Sequence, residues 1–227
     1  MTIEESSAPA SFDCPLPPEG FDSARIPIHE LNLSVTNLHR IHRRTYDPIH
    51  YNRRAVTGTT YRFDAPNDEY GVLYASPSLE VCLAESIMRG RYHGIDASAP
   101  HMIDESDITE RSVATLGLDE ARPLRLADLT APLWRFGFNA GVLSVPDYTV
   151  PNLWSLAIHN NVHGLDGIYF VSRYANAPSV AVFSDRAVLV PRGDSIPLAR
   201  HRALPGFLDR YEIGIASGGV DWRTPDT

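Results

Sequence analysis

The sequence predicts an α+β fold built from many short strands, and three observations lead there. First, apolar runs of strand length recur at residues 72–75, 112–118, 123–129 and 167–171, each bounded by turn-forming residues. Second, only two stretches carry an apolar stripe at helical spacing. One runs through Leu79, Cys82, Leu83 and Ile87, the other through Leu153, Trp154, Ala157 and Ile158. Third, no internal repeat and no linker divides the chain. One domain over residues 26–215 follows, preceded by a flexible N-terminal arm (1–25) and followed by a frayed tail (216–227).

Residues 1–24 are rich in Ser, Pro, Glu and Asp and lack periodicity, the composition of an arm with little to bury. Residues 26–33 read as an extended or short helical lead-in. Residues 38–42 alternate apolar and polar, as a half-buried strand does, and an arginine-bearing loop turns at Tyr46-Asp47-Pro48. The stretch 61–89 organises the rest. Tyr61-Arg62-Phe63 reads as a short aromatic strand, residues 64–68 as a loop, and residues 72–75 as a compact strand. Ser76-Pro77 has the chemistry of a helix start, because a Ser oxygen accepts a first-turn N–H and Pro suits the first helical position. Gly90 is the expected stop.

Beyond it, residues 94–100 form a loop, and the strands at 112–118 and 123–129 are split by an Asp119-Glu120 turn. Residues 133–145 stay ambiguous, since Gly137 and Gly141 weaken any helix there. Pro151 opens a helix that runs to about Val162 and is closed by Gly164. A hairpin is expected over residues 180–190, turning at Ser184-Asp185-Arg186. From Arg192 onward the pattern fades.

Composition narrows the classes of function. The chain has 227 residues, 43% hydrophobic and 21% charged, in the ordinary globular range. No apolar run approaches the ~20 residues of a membrane span, and MTIEESSAPASFD lacks a basic-then-apolar leader, so a cytoplasmic location is expected. A net charge of −8 argues against direct nucleic-acid binding, where a basic face supplies most of the affinity. All 20 basic residues other than His are Arg, with no Lys and no Gln anywhere, which a GC-rich genome explains. Cys14 and Cys82 read as reduced thiols.

Most candidate chemistry falls to duller readings. His159 and His163 share a helix face but lack the Glu of a metalloprotease helix, while His39 and His42 point to opposite faces of a strand, so no metal site is expected. Ser172 lacks a nucleophile elbow and reads as a hydrogen-bonding Ser at a strand end. Glu85 is harder to dismiss, because a carboxylate mid-helix at the edge of a buried stripe must be paired or functional. Its bland reading is an i,i+4 pair with Arg89 on a wet face, worth only ~0.3–0.5 kcal/mol. Arg40 and Arg62 are then rim charges, and Tyr74 a core ring with a satisfied hydroxyl.

A resemblance reverses that weighting. Leu38-His39-Arg40, Arg62-Phe63, Leu73-Tyr74-Ala75, Ala84-Glu85, Asp166-Gly167-Ile168-Tyr169 and Ser172-Arg173 stand in the order and spacing of the RES family, over roughly residues 37–183. The chain resembles those toxins of bacterial toxin–antitoxin pairs. The resemblance implies an ADP-ribosyltransferase-like body, two split sheets with flanking helices and a cleft for NAD+, which is substrate and not cofactor. It implies that Glu85, Arg40 and Tyr74 are catalytic, and that Arg40, Arg62, Tyr74 and Ser172 bind NAD+, Tyr74 by stacking on nicotinamide and Ser172 by bonding ribose or the amide. It also implies a separate Xre-like antitoxin through which alone the chain reaches DNA; homo-oligomerisation stays open. The readings it leaves are NAD+ hydrolysis or phosphorolysis, ADP-ribosylation of a protein, and a catalytically inactive binding module. Two departures stand out: Tyr61 replaces the Gly of the family's Gly-Arg-Phe, and the 87 residues from Glu85 to Ser172 are long for the family.

Overall fold

The computed structural model describes residues 14–89, 91 and 99–217. Its strands in chain order are β1 (Ile28–Leu31), β2 (Leu38–Arg43), β3 (Val72–Ala75), β4 (His101–Asp104), β5 (Arg111–Leu118), β6 (Leu124–Asp128), β7 (Gly167–Val171), β8 (Pro178–Phe183), β9 (Leu189–Pro191), β10 (Ile196–Pro197) and β11 (Ile213–Ala216). The helices are α1 (Arg54–Thr57), α2 (Leu79–Leu83, continued by a π-helical turn over Ala84–Met88), α3 (Glu105–Thr109), α4 (Ala140–Ser144), α5 (Thr149–His159) and α6 (Leu204–Arg210).

Two sheets form the body. The larger has the order β1-β6-β7-β8-β3, and the smaller centres on β5, flanked by β2 on one side and by β9 and β10 on the other. A parallel β4–β11 pair stands apart. Strand alternation divides the core into layers. Leu73, Ala75, Val180 and Val182 face Leu38, Leu116 and Leu189 between the two sheets. Val72, Ala181, Phe183, Ile168 and Phe170 face the other way, onto Trp154 and Ile158 of α5. A third cluster joins Leu83, Ile87, Val113, Leu198 and Phe207, and so packs α2 and α6 on the far side of the smaller sheet. The α+β expectation is met, and the two packed sheets are also joined by backbone hydrogen bonds. His39 N donates to Ser76 O (2.7 Å) and Ser76 N to His39 O (2.9 Å), an isolated bridge between β2 and β3.

Several local expectations need correction. Helix α2 begins two residues late, because Ser78 caps it (Val81 N to Ser78 Oγ, 3.5 Å) while the Ser76 hydroxyl is spent on Pro178 O at 2.7 Å. Gly90, the expected stop, lies outside the described residues. The 180–190 hairpin does not form: the Ser184–Arg186 turn is real, but β8 pairs with β7 and β3 whereas β9 crosses to β5. Residues beyond Arg192 hold β10, α6 and β11, and β4 and α3 were not anticipated. Part of the expected arm is packed: Phe21 is buried against Trp154, and Trp154 Nε1 donates to Pro15 O at 2.7 Å. Residues 1–13 and 218–227 lie outside the described residues.

The Asp166-Gly167 pair fixes how β7 enters the larger sheet. The Asp166 carboxylate, 4% exposed, takes both terminal nitrogens of Arg122 (2.5 and 3.0 Å) and Arg125 N (2.8 Å). A bidentate fork on a buried carboxylate adds geometric specificity to this contact. At Gly167 a Cβ would stand 2.1 Å from the Ala181 carbonyl oxygen across the β7–β8 pair. Gly167→Ala is therefore expected to destabilise the protein by about 1–3 kcal/mol through overpacking, read as a lower melting temperature. A wild-type melt for that variant would contradict the close β7–β8 approach.

Candidate functional site

Beyond the His39–Ser76 joint, β2 and β3 frame a cleft of about 640 Å³, the size of a small-molecule site. Strand β2 contributes Arg40, β3 contributes Tyr74, α2 with its π turn contributes Cys82, Glu85 and Arg89, and the turn before β3 contributes Tyr61 and Arg62. Tyr148, at the start of α5, and Arg173, just after β7, complete the wall. Arg40, Arg62, Tyr74 and Glu85 thus converge on one cleft. Ser172 stands behind it.

The turn carrying Arg62 is held almost entirely by side chains. Residues 61–63 join no sheet, contrary to the strand expected there. Instead Tyr61 N donates to Asp64 Oδ2 (2.7 Å), and Phe63 N donates to the Tyr74 hydroxyl (2.8 Å). Asn152 of α5 donates to Tyr61 O (2.8 Å) and Arg62 O (3.0 Å), and the Ser155 hydroxyl donates to Phe63 O (2.6 Å). Asp64, 2% exposed, also accepts from Asn52 Nδ2 (2.6 Å) and the Tyr74 hydroxyl (3.1 Å). Burial pushes its carboxyl up despite these donors. Tyr61 is not among the residues with positive φ, so replacing a Gly there imposes no backbone strain. The Tyr74 hydroxyl is committed to this turn, and burial, with Asp64 next, drives its pKa well above the ordinary phenol value. Its ring meets Tyr61 edge-to-face at 5.8 Å.

Glu85 is placed by Ser172. That Ser is fully buried. Its Oγ accepts from Tyr174 N (3.2 Å) and Ala175 N (3.3 Å), so its one proton points at Glu85 Oε1, 2.6 Å away. Asn176 takes the left-handed conformation (φ 47°) that closes this loop. No Glu85–Arg89 ion pair forms. Arg89 reaches across to the Tyr148 hydroxyl at 3.0 Å instead, so the solvated-pair reading of Glu85 falls.

The electrostatics of the cleft invert those of the chain. Glu85 is the one acid among the lining residues, against Arg40, Arg43, Arg62, Arg89, Arg111 and Arg173. Arg40 donates to Pro48 O (3.1 Å), and burial lowers its pKa to about 10, still a cation at neutral pH. Arg62 is 8% exposed and its Nε is buried without a partner. Burial, then the neighbouring Arg173, pulls its pKa down. Cys82 is no nucleophile, since burial pushes its thiol up to about 12. Among the described residues no cluster of His, Cys, Asp and Glu is arranged to hold a metal. His159 stacks on Tyr70 (4.0 Å) and bonds Asp185 (3.0 Å), far from any ligand role.

The RES domain matches residues 37–201, well over half the sequence. The chain belongs to the RES family. Every site residue named above lies within that match. Among solved structures, a chain of the M. tuberculosis MbcT–MbcA toxin–antitoxin complex has a similar fold, with a TM-score of 0.54 at 16% identity over 72% of this chain and 85% of that one. No curated protein matches this sequence.

Arg89, Tyr148 and Arg173 also line the cleft, although in the sequence Arg89 reads only as a surface partner of Glu85. Tyr148 was masked by the ambiguous 133–145 segment beside it, and only the family pairing Ser172-Arg173 hinted at Arg173. Asn152 was equally hidden, as one polar residue on an α5 face otherwise read for its apolar spacing. Asn152→Ala would strip donors from two buried carbonyls, at a cost of about 1–3 kcal/mol. Thermal melting checks this, and an unchanged melt would show that the 61–63 turn does not depend on α5.

Proposed function

We propose that this RES-family protein is an NAD-consuming toxin that cleaves the nicotinamide–ribose bond of NAD+. The observation that carries the reading is one carboxylate, Glu85, oriented by a buried hydroxyl in a wall whose other charged groups are arginines, with aromatic rings among them. The chemistry suits that wall. When the C1′–N bond breaks, its electron pair goes to the pyridinium ring and nicotinamide leaves neutral. Positive charge grows on C1′ and the ring oxygen, and a fixed carboxylate beside the sugar stabilises it. Water then supplies hydroxide to C1′ and a proton to solvent, giving ADP-ribose. Phosphate as acceptor gives ADP-ribose-1″-phosphate.

In this reading Glu85 faces the ribose and Ser172 holds Glu85 in place. Arg40 and Arg62 bind the anionic and hydroxyl-rich parts of the dinucleotide through their forks. The Tyr61 and Tyr74 rings offer an aromatic wall to the nicotinamide. The proposal includes a neutralising partner, an antitoxin with an Xre-like DNA-binding domain on a separate chain. The similar M. tuberculosis fold was solved as a toxin–antitoxin complex, which supports it. With a net charge of −8, this chain would reach DNA only through that partner. The toxin would act in the cytoplasm, and no helix among the described residues is long and apolar enough to cross a membrane.

The deciding experiment incubates purified protein with NAD+, with and without phosphate or a candidate acceptor protein, and follows the products. Release of nicotinamide with ADP-ribose or its 1″-phosphate is expected; NAD+ left intact by folded protein sinks the reading. In cells, expression of the chain without an antitoxin should arrest growth as NAD+ falls, and growth at unchanged NAD+ argues against toxicity. Glu85→Gln keeps volume and an acceptor for Ser172 but removes the charge. Its turnover should drop by roughly 10²–10³, the loss seen when one preorganised electrostatic group is removed, with KM and melting temperature little changed. Undiminished turnover would return Glu85 to a structural role.

A further inference from the structure

Three guanidiniums meet at one phenol in the cleft. Arg89 Nη2 donates to the Tyr148 hydroxyl at 3.0 Å and Arg173 Nη2 to the same oxygen at 3.2 Å. Arg62 lies over the Tyr148 ring, 5.7 Å from its centroid. Among the described residues none of the three is ion-paired with a carboxylate. Arg62 is more than nine-tenths buried with an unpartnered Nε. Like charges packed this closely and left uncompensated cost stability, and burial, then the neighbouring Arg173, pulls the Arg62 pKa down. A phenol oxygen with two lone pairs, taking two guanidinium donors, occupies the place that an anionic oxygen would fill better. Tyr61 and Tyr174 steady the outer two cations, with Arg89 4.9 Å from the Tyr61 ring and Arg173 5.0 Å from that of Tyr174.

We propose that Arg62, Arg89 and Arg173, gathered on Tyr148, form a phosphoryl-binding subsite that takes the diphosphate of a dinucleotide. As a statement about NAD+ it rests on the reading above; as a statement about diphosphate recognition it is tested separately. Two of its members, Arg89 and Tyr148, come from the long segment between Glu85 and Ser172 or its edge, so this stretch of chain would add substrate recognition. The Tyr148 hydroxyl holds the two forks together, and phosphoryl oxygens replace it on binding.

The test titrates the full chain with inorganic pyrophosphate by calorimetry, beside Arg89→Met, Arg173→Met and, as a control, Arg210→Met, an exposed residue paired with Glu80 outside the cleft. Wild type and the control should bind alike, with affinity falling as salt rises, and the two cleft variants should each bind at least tenfold more weakly. In kinetics, the preference for NAD+ over nicotinamide riboside, which lacks phosphate, should fall at least tenfold in the same variants. Should either Met variant fail to fold, Arg89→Lys and Arg173→Lys keep the charge but lose the fork and should weaken binding too. Pyrophosphate that does not bind wild type, or binds the cleft variants as tightly, overturns the subsite. Weakened pyrophosphate binding in a protein that leaves NAD+ intact upholds the subsite and overturns the NAD+ reading instead.

Discussion

The site depends on how a buried, irregular turn satisfies its backbone. Residues 61–63 belong to no sheet or helix, and buried peptide groups without partners are costly. Here the partners are side chains from elsewhere: Asn152 and Ser155 of α5, Tyr74 of β3, and Asp64 at the turn's own end. These bonds tie both α5 and β3 to the segment that presents Arg62. The position of that guanidinium is thus a joint property of the larger sheet and α5. The Trp154 and Phe63 rings, both fully buried, pack the same junction from the apolar side.

The second organising fact is electrostatic. An acidic protein concentrates cations in one concave place and leaves a single carboxylate among them. Low-dielectric walls focus such a field, so an anion would be drawn into the cleft although the molecule as a whole repels it. The protein elsewhere pairs its charges conventionally, as with Arg122 and Asp166 or Arg210 and Glu80. That contrast makes the cleft an exception to the molecule's own habits, and such exceptions mark functional sites more often than structural ones.

What the sequence disclosed follows physical range. Strands β2, β3, β5, β6 and β7 were legible because alternation and apolar runs are local, and with them the placement of Arg40 and Tyr74. Glu85 stood out because a mid-helix carboxylate beside a buried stripe must be paired or functional, but only the RES-family motif order favoured the second reading over a pair with Arg89. The start of α2 was misplaced because Ser76 and Ser78 can each cap a helix. Only tertiary contacts decide that Ser76 serves the β2–β3 joint. The turn at Ser184–Arg186 was visible, yet its flanking strands enter different sheets, a choice written in no local pattern. The Ser172–Glu85 bond spans 87 residues, and no spacing rule reaches that far.

The π-helical turn over Ala84–Met88 has a consequence for how such a protein is lost. A π turn carries one residue more than the α-helix it interrupts and is less favourable, which is why it persists mainly where function needs it. Here it keeps Leu83 and Ile87 in the core while presenting Glu85 to the cleft. Deleting a single codon in this stretch would let the segment relax into regular helix with better backbone geometry, and would swing the carboxylate by about 100° away from Ser172. An in-frame deletion here would therefore take the carboxylate out of the site without altering Glu85 itself.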